Sequence, residues 1–255
     1  MTRKKIIEWQ LNHQIYTPFK PIVNFVENHD RPFAAYLSAN YSTLNIYKNN
    51  QSLKTTFQIG VIGPNAFGKE LQNFVHTMYG FEEGVGWKYQ IKNAAGLNLN
   101  FNHHKFLLKN STNSFDLTWA NSSKLGTIKT NLNTGLLARF GLLPLQKIAN
   151  SIAFNSGLNN DDTNYNTEKE SFFFVKPSVK YQFYDATIQG SFLNTKSDVT
   201  KELVPLVFHL EIGFLFTVKN FYFGYTYNYN SNKSKGLFHS KGQNYGSISL
   251  NYRLK

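Results

Sequence analysis

The chain of 255 residues contains no cysteine, which excludes disulfides and thiolate metal sites and is compatible with an exported protein. Charge is also scarce: Asp, Glu, Lys and Arg make up 16%, against about a quarter in an ordinary soluble domain. There is no long apolar run of the kind a membrane-crossing helix needs, and the mean hydropathy is −0.38. Acidic residues are few, 15 against 27 Lys and Arg, for a net charge of +12. The cations are scattered, without a basic helix or a stacking motif, so nucleic acid is not an expected partner. Solvated loop lysines, or attraction to anionic lipid head groups, account for the charge instead.

Aromatic residues and uncharged polar residues take the place of what is missing. There are 23 Phe and 15 Tyr, and Asn, Ser, Thr and Gln fill much of the remainder. Many aromatics, many neutral polar side chains and a cancelling hydropathy describe a transmembrane β-barrel, in which apolar and polar residues alternate along each strand.

Period-two alternation recurs in about ten or eleven segments. In residues 221–229 every odd position is aromatic, from Phe221 to Tyr229. Leu97, Leu99 and Phe101 alternate with Asn98, Asn100 and Asn102, and Ile248, Leu250 and Tyr252 with Ser247, Ser249 and Asn251. Several runs exceed the five or six residues typical of a soluble strand. The faces opposite the apolar ones carry Asn, Gln, Ser, Lys and Glu, which suits a wet lumen better than a dry core. Turns are expected at Asn49-Asn50, Asn110–Asn113, Asn121-Ser122-Ser123, Lys219-Asn220 and residues 230–242. Residues 155–169 read as a mobile surface loop, and residues 142–153 as a short second helix. No repeat, linker or boundary divides the chain, so one barrel domain over 1–255 is expected.

Residues 60–87 break the pattern. After the strand end Gly60-Val61-Ile62-Gly63-Pro64, the sequence predicts a helix over 66–79, capped by Asn65 and stopped by Gly80. His76 follows Gln72 by four residues, so the two side chains share a face. Glu82 lies beyond Gly80, where a turn can bring it back to the imidazole. A base with an orienting partner is the arrangement that activates water or a hydroxyl near neutral pH. Spacing alone favours a surface histidine on an amphipathic helix.

The order of motifs adds to this. QIYTP (Gln14–Pro18), HDRPFAAYL (His29–Leu37), GVIGPNAFGKELQNFVH and the Gly-Trp at 86 and 87 together resemble the outer-membrane lipid A 3′-O-deacylases over roughly residues 5–105. TGLLARFG (Thr134–Gly141) extends the likeness. The resemblance implies a twelve-stranded antiparallel barrel in the bacterial outer membrane, about ten strands of it present here, acting as a monomer on lipid A or lipopolysaccharide. It implies a carboxylic ester hydrolase with calcium as cofactor, in which His76 is the general base and Glu82 the active-site or calcium-binding carboxylate. Lys20 and Arg31 correspond to substrate-binding basic residues. That family opens with a strand bearing an Asn-Asp pair and a second strand with a Tyr-Thr-x-Gly motif, and this chain starts at the equivalent of the third strand. MTRKKII runs into Glu8, Gln10, Asn12 and Gln14 without an apolar stretch, so no signal peptide is read in it. The expectation is therefore a truncated and inactive site, completed by residues upstream. The alternatives are a catalytically dead barrel with a structural or surface-binding role, and a passive pore.

Overall fold

The computed structural model describes residues 2–20, 22–156, 169–218, 220–238 and 242–252; the loop expected at 155–169 falls almost wholly outside them. Ten strands form one sheet: β1 (Thr2–Tyr16), β2 (Ala34–Tyr47), β3 (Gln51–Ile62), β4 (Ala94–Lys109), β5 (Phe115–Gly126), β6 (Lys129–Gly141), β7 (Ser171–Asp185), β8 (Leu206–Val218), β9 (Phe221–Asn230) and β10 (Gln243–Tyr252). Each pairs antiparallel with its neighbour in sequence, giving the order β1 to β10. The sheet is curled, so that Tyr16 at the end of β1 receives the Lys129 ammonium of β6 at 2.8 Å across the interior. Among the described residues β1 and β10 are the two edges and do not pair.

The strands run from 10 to 16 residues, enough for a tilted strand to cross a bilayer, which takes about nine to eleven. Register fixes which side chains face out. Pairing of Ser42 with both Glu8 and Thr56 puts the even positions of β1 to β3 on the inner face. Their odd positions, such as Trp9, Phe57 and Ile59, point outward and are exposed. The outward apolar face continues through Leu97, Leu132, Phe173, Phe208, Tyr225 and Ile248. A continuous exposed apolar wall of this kind is stable against lipid and costly against water.

The interior is polar in its middle and apolar at both ends. Ser38, Asn40, Ser42, Asn98, Asn100 and Thr118 are all buried inside. One end is closed by Leu44, Ile46, Leu137, Ile148, Ala149, Phe154, Phe172 and Phe174. The other is closed by Ala34, Tyr36, Ile62, Ile91, Ala94, Ile128 and Ala186.

Three sequence expectations are corrected. Asn121, Ser122 and Ser123 lie within β5 and not in a turn, because their polar side chains belong to the wet interior. Residues 142–153 form no α-helix: beyond β6 the chain turns at 148–150 and makes a single 3-10 turn at Ile152–Phe154. The segment is instead drawn into the lumen as a plug, held by burial of Ile148, Ala149 and Phe154 and by the Arg139 side chain on the Gln146 carbonyl. The expected cap at Asn65 is replaced by a 3-10 turn, Pro64–Ala66, before the helix α1 (Gly68–Tyr79) begins. One short helix, α2 (Ala186–Gln189), was not expected.

Candidate active site on the outer wall

Helix α1 stands against the outside of the barrel. Its base rests on a buried cluster of Phe33, Ala35, Ala66 and Trp87, packed against the outward residues Ile15, Leu37 and Val61. Gly68 makes this contact possible: a Cβ there would lie 2.4 Å from the Ala35 Cβ and 2.6 Å from the Trp87 ring. Phe67 takes the left-handed conformation at φ 56° to bring the helix in at that angle, an uncommon state for a bulky residue. Substituting Gly68→Ala should lower stability by roughly 1–3 kcal/mol through overpacking. Urea unfolding in detergent micelles reads it, and an unchanged midpoint would show that the helix is not seated here.

The free face of α1 is apolar. Leu71, Phe74, Val75 and Met78 are exposed, and so are Phe67, Tyr79 and Phe81 beside them. On a soluble protein this would be an unexplained patch; beside a lipid-facing wall it is an amphipathic helix placed at the membrane interface.

His76 sits on the opposite side of that helix, half-buried, between two partners. Gly80, at φ 69°, accepts the left-handed turn that ends α1 and folds the chain back. The carbonyl oxygen of Glu82 then lies 2.5 Å from His76 Nδ1. A carbonyl can only accept, so Nδ1 carries the proton and Nε2 keeps its lone pair. Nε2 in turn lies 3.2 Å from the Gln72 side-chain nitrogen, which donates to it. Gln72 is itself held by the Trp87 indole N–H, donated to its Oε1 at 2.7 Å. Phe81 packs edge-on to the imidazole. The chain Trp87–Gln72–His76–Glu82 therefore fixes the tautomer, the ring orientation and the position of the basic nitrogen.

Sequence spacing brought His76, Gln72 and Glu82 together as expected, but the contact with Glu82 is through its backbone. The Glu82 carboxylate is exposed and has no hydrogen bond or ion pair among the described residues. The neighbouring Glu83 carboxylate accepts from Asn73 at 3.1 Å. Calcium takes about six to eight oxygen ligands, and no group of three His, Cys, Asp or Glu side chains placed for a metal occurs among the described residues. These residues do not complete a calcium shell.

Lys20 and Arg31 lie elsewhere. Lys20 is exposed, in a surface cavity shared with Phe19, Asp30 and Phe238. Asp30 braces that loop, accepting from the amides of Phe19 and Phe238 at 3.1 and 3.2 Å. Arg31 points into the lumen over the Tyr16 ring and donates to the carbonyls of Pro32 and Thr187 at 3.3 and 3.4 Å. Neither touches His76. Sequence reasoning passed over Trp87 as a partner of Gln72; its only signal was the Gly-Trp pair at 86 and 87.

Fold and site together define a membrane-type antiparallel β-barrel with a histidine-bearing helix applied to its outer wall. The chain belongs to the family described as outer membrane protein LpxR, whose family model matches residues 1–254. Among solved structures, LpxR from Salmonella typhimurium is similar to it, with a TM-score of 0.78 and 18% identity, over 98% of this chain and 84% of that chain. At that identity the likeness is one of fold. Comparison with curated proteins gives no match.

Proposed function

We propose that this protein is an esterase of the outer membrane that removes an ester-linked acyl chain from lipid A, acting as a monomer with His76 as general base. The observation that carries the reading is the imidazole itself. Its Nδ1–H is spent on the Glu82 carbonyl, which leaves the lone pair on Nε2, where only the neutral Gln72 amide meets it, on a helix that offers its apolar face to lipid. Family membership supports the same substrate class. In this mechanism a water replaces the Gln72 amide at Nε2 and gives up a proton to it as the oxygen attacks the ester carbonyl. The tetrahedral intermediate collapses, and the proton passes from Nε2 to the departing alkoxide oxygen. The charged imidazole is stabilised throughout by the Glu82 carbonyl. We further propose the exposed Glu82 carboxylate as one ligand of a calcium ion, the described residues supplying no complete shell.

The test is mass spectrometry of lipid A after incubation with the refolded chain in detergent, with calcium and with a chelator. Loss of one ester-linked acyl chain is the expected result, and unchanged lipid A under both conditions would sink the proposal. One observation favours a second reading, an inert barrel with a structural role: the Gln72 amide already occupies the basic nitrogen. The same measurement decides between them.

A further inference from the structure

On the inner side of the wall, away from α1, the lumen holds a chamber of about 450 Å³ with an unusual charge balance. Lys124, Lys129 and Lys180 reach it from β5, β6 and β7, Lys233 from the β9–β10 connection, and Arg31 from the β1–β2 connection. Asp185 is the one carboxylate among its lining residues. Asp185 is already engaged. It lies 3.6 Å from Lys129 and accepts from the Thr187 amide and hydroxyl at 2.9 and 2.6 Å. Lys129 is further held by the Tyr16 hydroxyl, and Arg31 by two carbonyls. Lys124, Lys180 and Lys233 have no hydrogen bond or ion pair from their ammonium groups among the described residues, and all three are half-buried.

Three unneutralised cations recessed into one cavity repel each other strongly, since like charges interact more steeply there than in bulk water. Lys233 registers this: burial, then Lys180 and Lys129, hold its ammonium down to about 7 from an ordinary 10.5. Such a cluster is stable only with a counter-charge, and its chemistry specifies which. Ammonium groups converging from separate strands act as point charges and suit a compact anion with oxygens on several sides; a planar carboxylate is better met by an arginine fork. Three unpaired positive charges call for more than a monoanion. Neutral polar groups that would complete its shell, Asn131, Asn133 and Gln182, line the same space.

We propose that this lumenal chamber binds a multiply charged phosphate-class anion, with Lys124, Lys180 and Lys233 as its principal ligands and Lys129 and Arg31 in support. The site is separate from His76 and does not rest on the esterase reading. The anion would come either free from solution or as a lipid phosphate headgroup, and the two are separable by experiment.

The full chain, refolded in zwitterionic micelles, is titrated with inorganic pyrophosphate at low ionic strength by calorimetry, and separately with micelles doped with phosphatidic acid. Binding of pyrophosphate alone identifies a free anion, and lysine-dependent binding of both identifies a headgroup site. The Lys124→Gln/Lys180→Gln variant should weaken binding at least tenfold, and Lys233→Gln, a loop change that leaves every strand intact, several-fold. Lys235→Gln, an exposed residue paired with Glu202, should change nothing. No binding of either probe, or binding by the folded Lys233→Gln and double variants as tight as that of the parent chain, would overturn the proposal.

Discussion

Replacing His76 with alanine should lower the rate of acyl release by roughly 10²- to 10⁴-fold, the range a positioned general base contributes. The change removes the one nitrogen whose lone pair is presented at the lipid-facing helix, while α1 keeps its seat on Ala35 and Trp87. The folded state should therefore survive, and initial rates on micellar lipid A isolate the chemical defect. Glu82→Gln makes the informative contrast. It deletes the carboxylate but keeps the backbone carbonyl that orients His76. The expected outcome is a rate that recovers at saturating calcium with a raised calcium requirement. A loss as deep as that of His76→Ala at every calcium concentration would instead place the carboxylate in the chemistry. Full activity in His76→Ala would end the proposed mechanism.

The barrel was legible because a one-layer sheet between lipid and a wet lumen imposes a strict period of two. Nothing in the lumen masks it: Asn98 and Asn100 face in, Leu97 and Leu99 face out, and the register of β3 with β4 follows. The same chemistry produced the error at Asn121-Ser122-Ser123. A run of small polar residues signals a turn in a soluble protein, whereas inside a barrel it is an ordinary lumenal stretch. Helix α1 was legible from its spacing and Gly80, but its start was not. The position of Gly68 is dictated by contact with Ala35, which lies over thirty residues earlier, and local capping rules carry no trace of it. At the candidate site, spacing placed His76, Gln72 and Glu82 near one another, yet could not say which atom of Glu82 would meet the ring, because that depends on how residues 80–87 fold back on Trp87. Arg31 sits in a motif beside Asp30, but whether its side chain turns outward or into the lumen is decided by Tyr16 and Thr187, from distant strands.

Arg139→Met should destabilise the barrel by about 3–5 kcal/mol, the cost of stranding buried charges. Arg139 is fully buried. It pairs with Asp116 through two hydrogen bonds of 2.9 and 2.5 Å, donates to Ser151 Oγ at 2.6 Å and to the Gln146 carbonyl at 2.9 Å, and reaches Glu170 at 3.5 Å. The rings of Phe154 and Phe172 flank the guanidinium. One side chain thus joins β5 and β6 to the plug that follows them, and explains why a sequence with apolar residues at 142–153 stays extended and turns inward. Methionine keeps much of the volume and none of the donors, so Asp116 and Glu170 would be left buried without their cation. Burial already pushes the Glu170 carboxyl above its ordinary range, against the pull of the Ile152 amide, Ser151 and Arg139. Removing Arg139 pushes it further. The folded variant then takes up protons at a higher pH than its unfolded chain, so its deficit is full at neutral pH and shrinks as the pH falls through the raised value. Urea midpoints measured at pH 7.5 and pH 5 check both the size and the sign. Adding Asp116→Leu to Arg139→Met should restore part of the loss at neutral pH, since one stranded charge is then gone. If the single variant were as stable as the parent at pH 7.5, the network would not be what holds the plug in place.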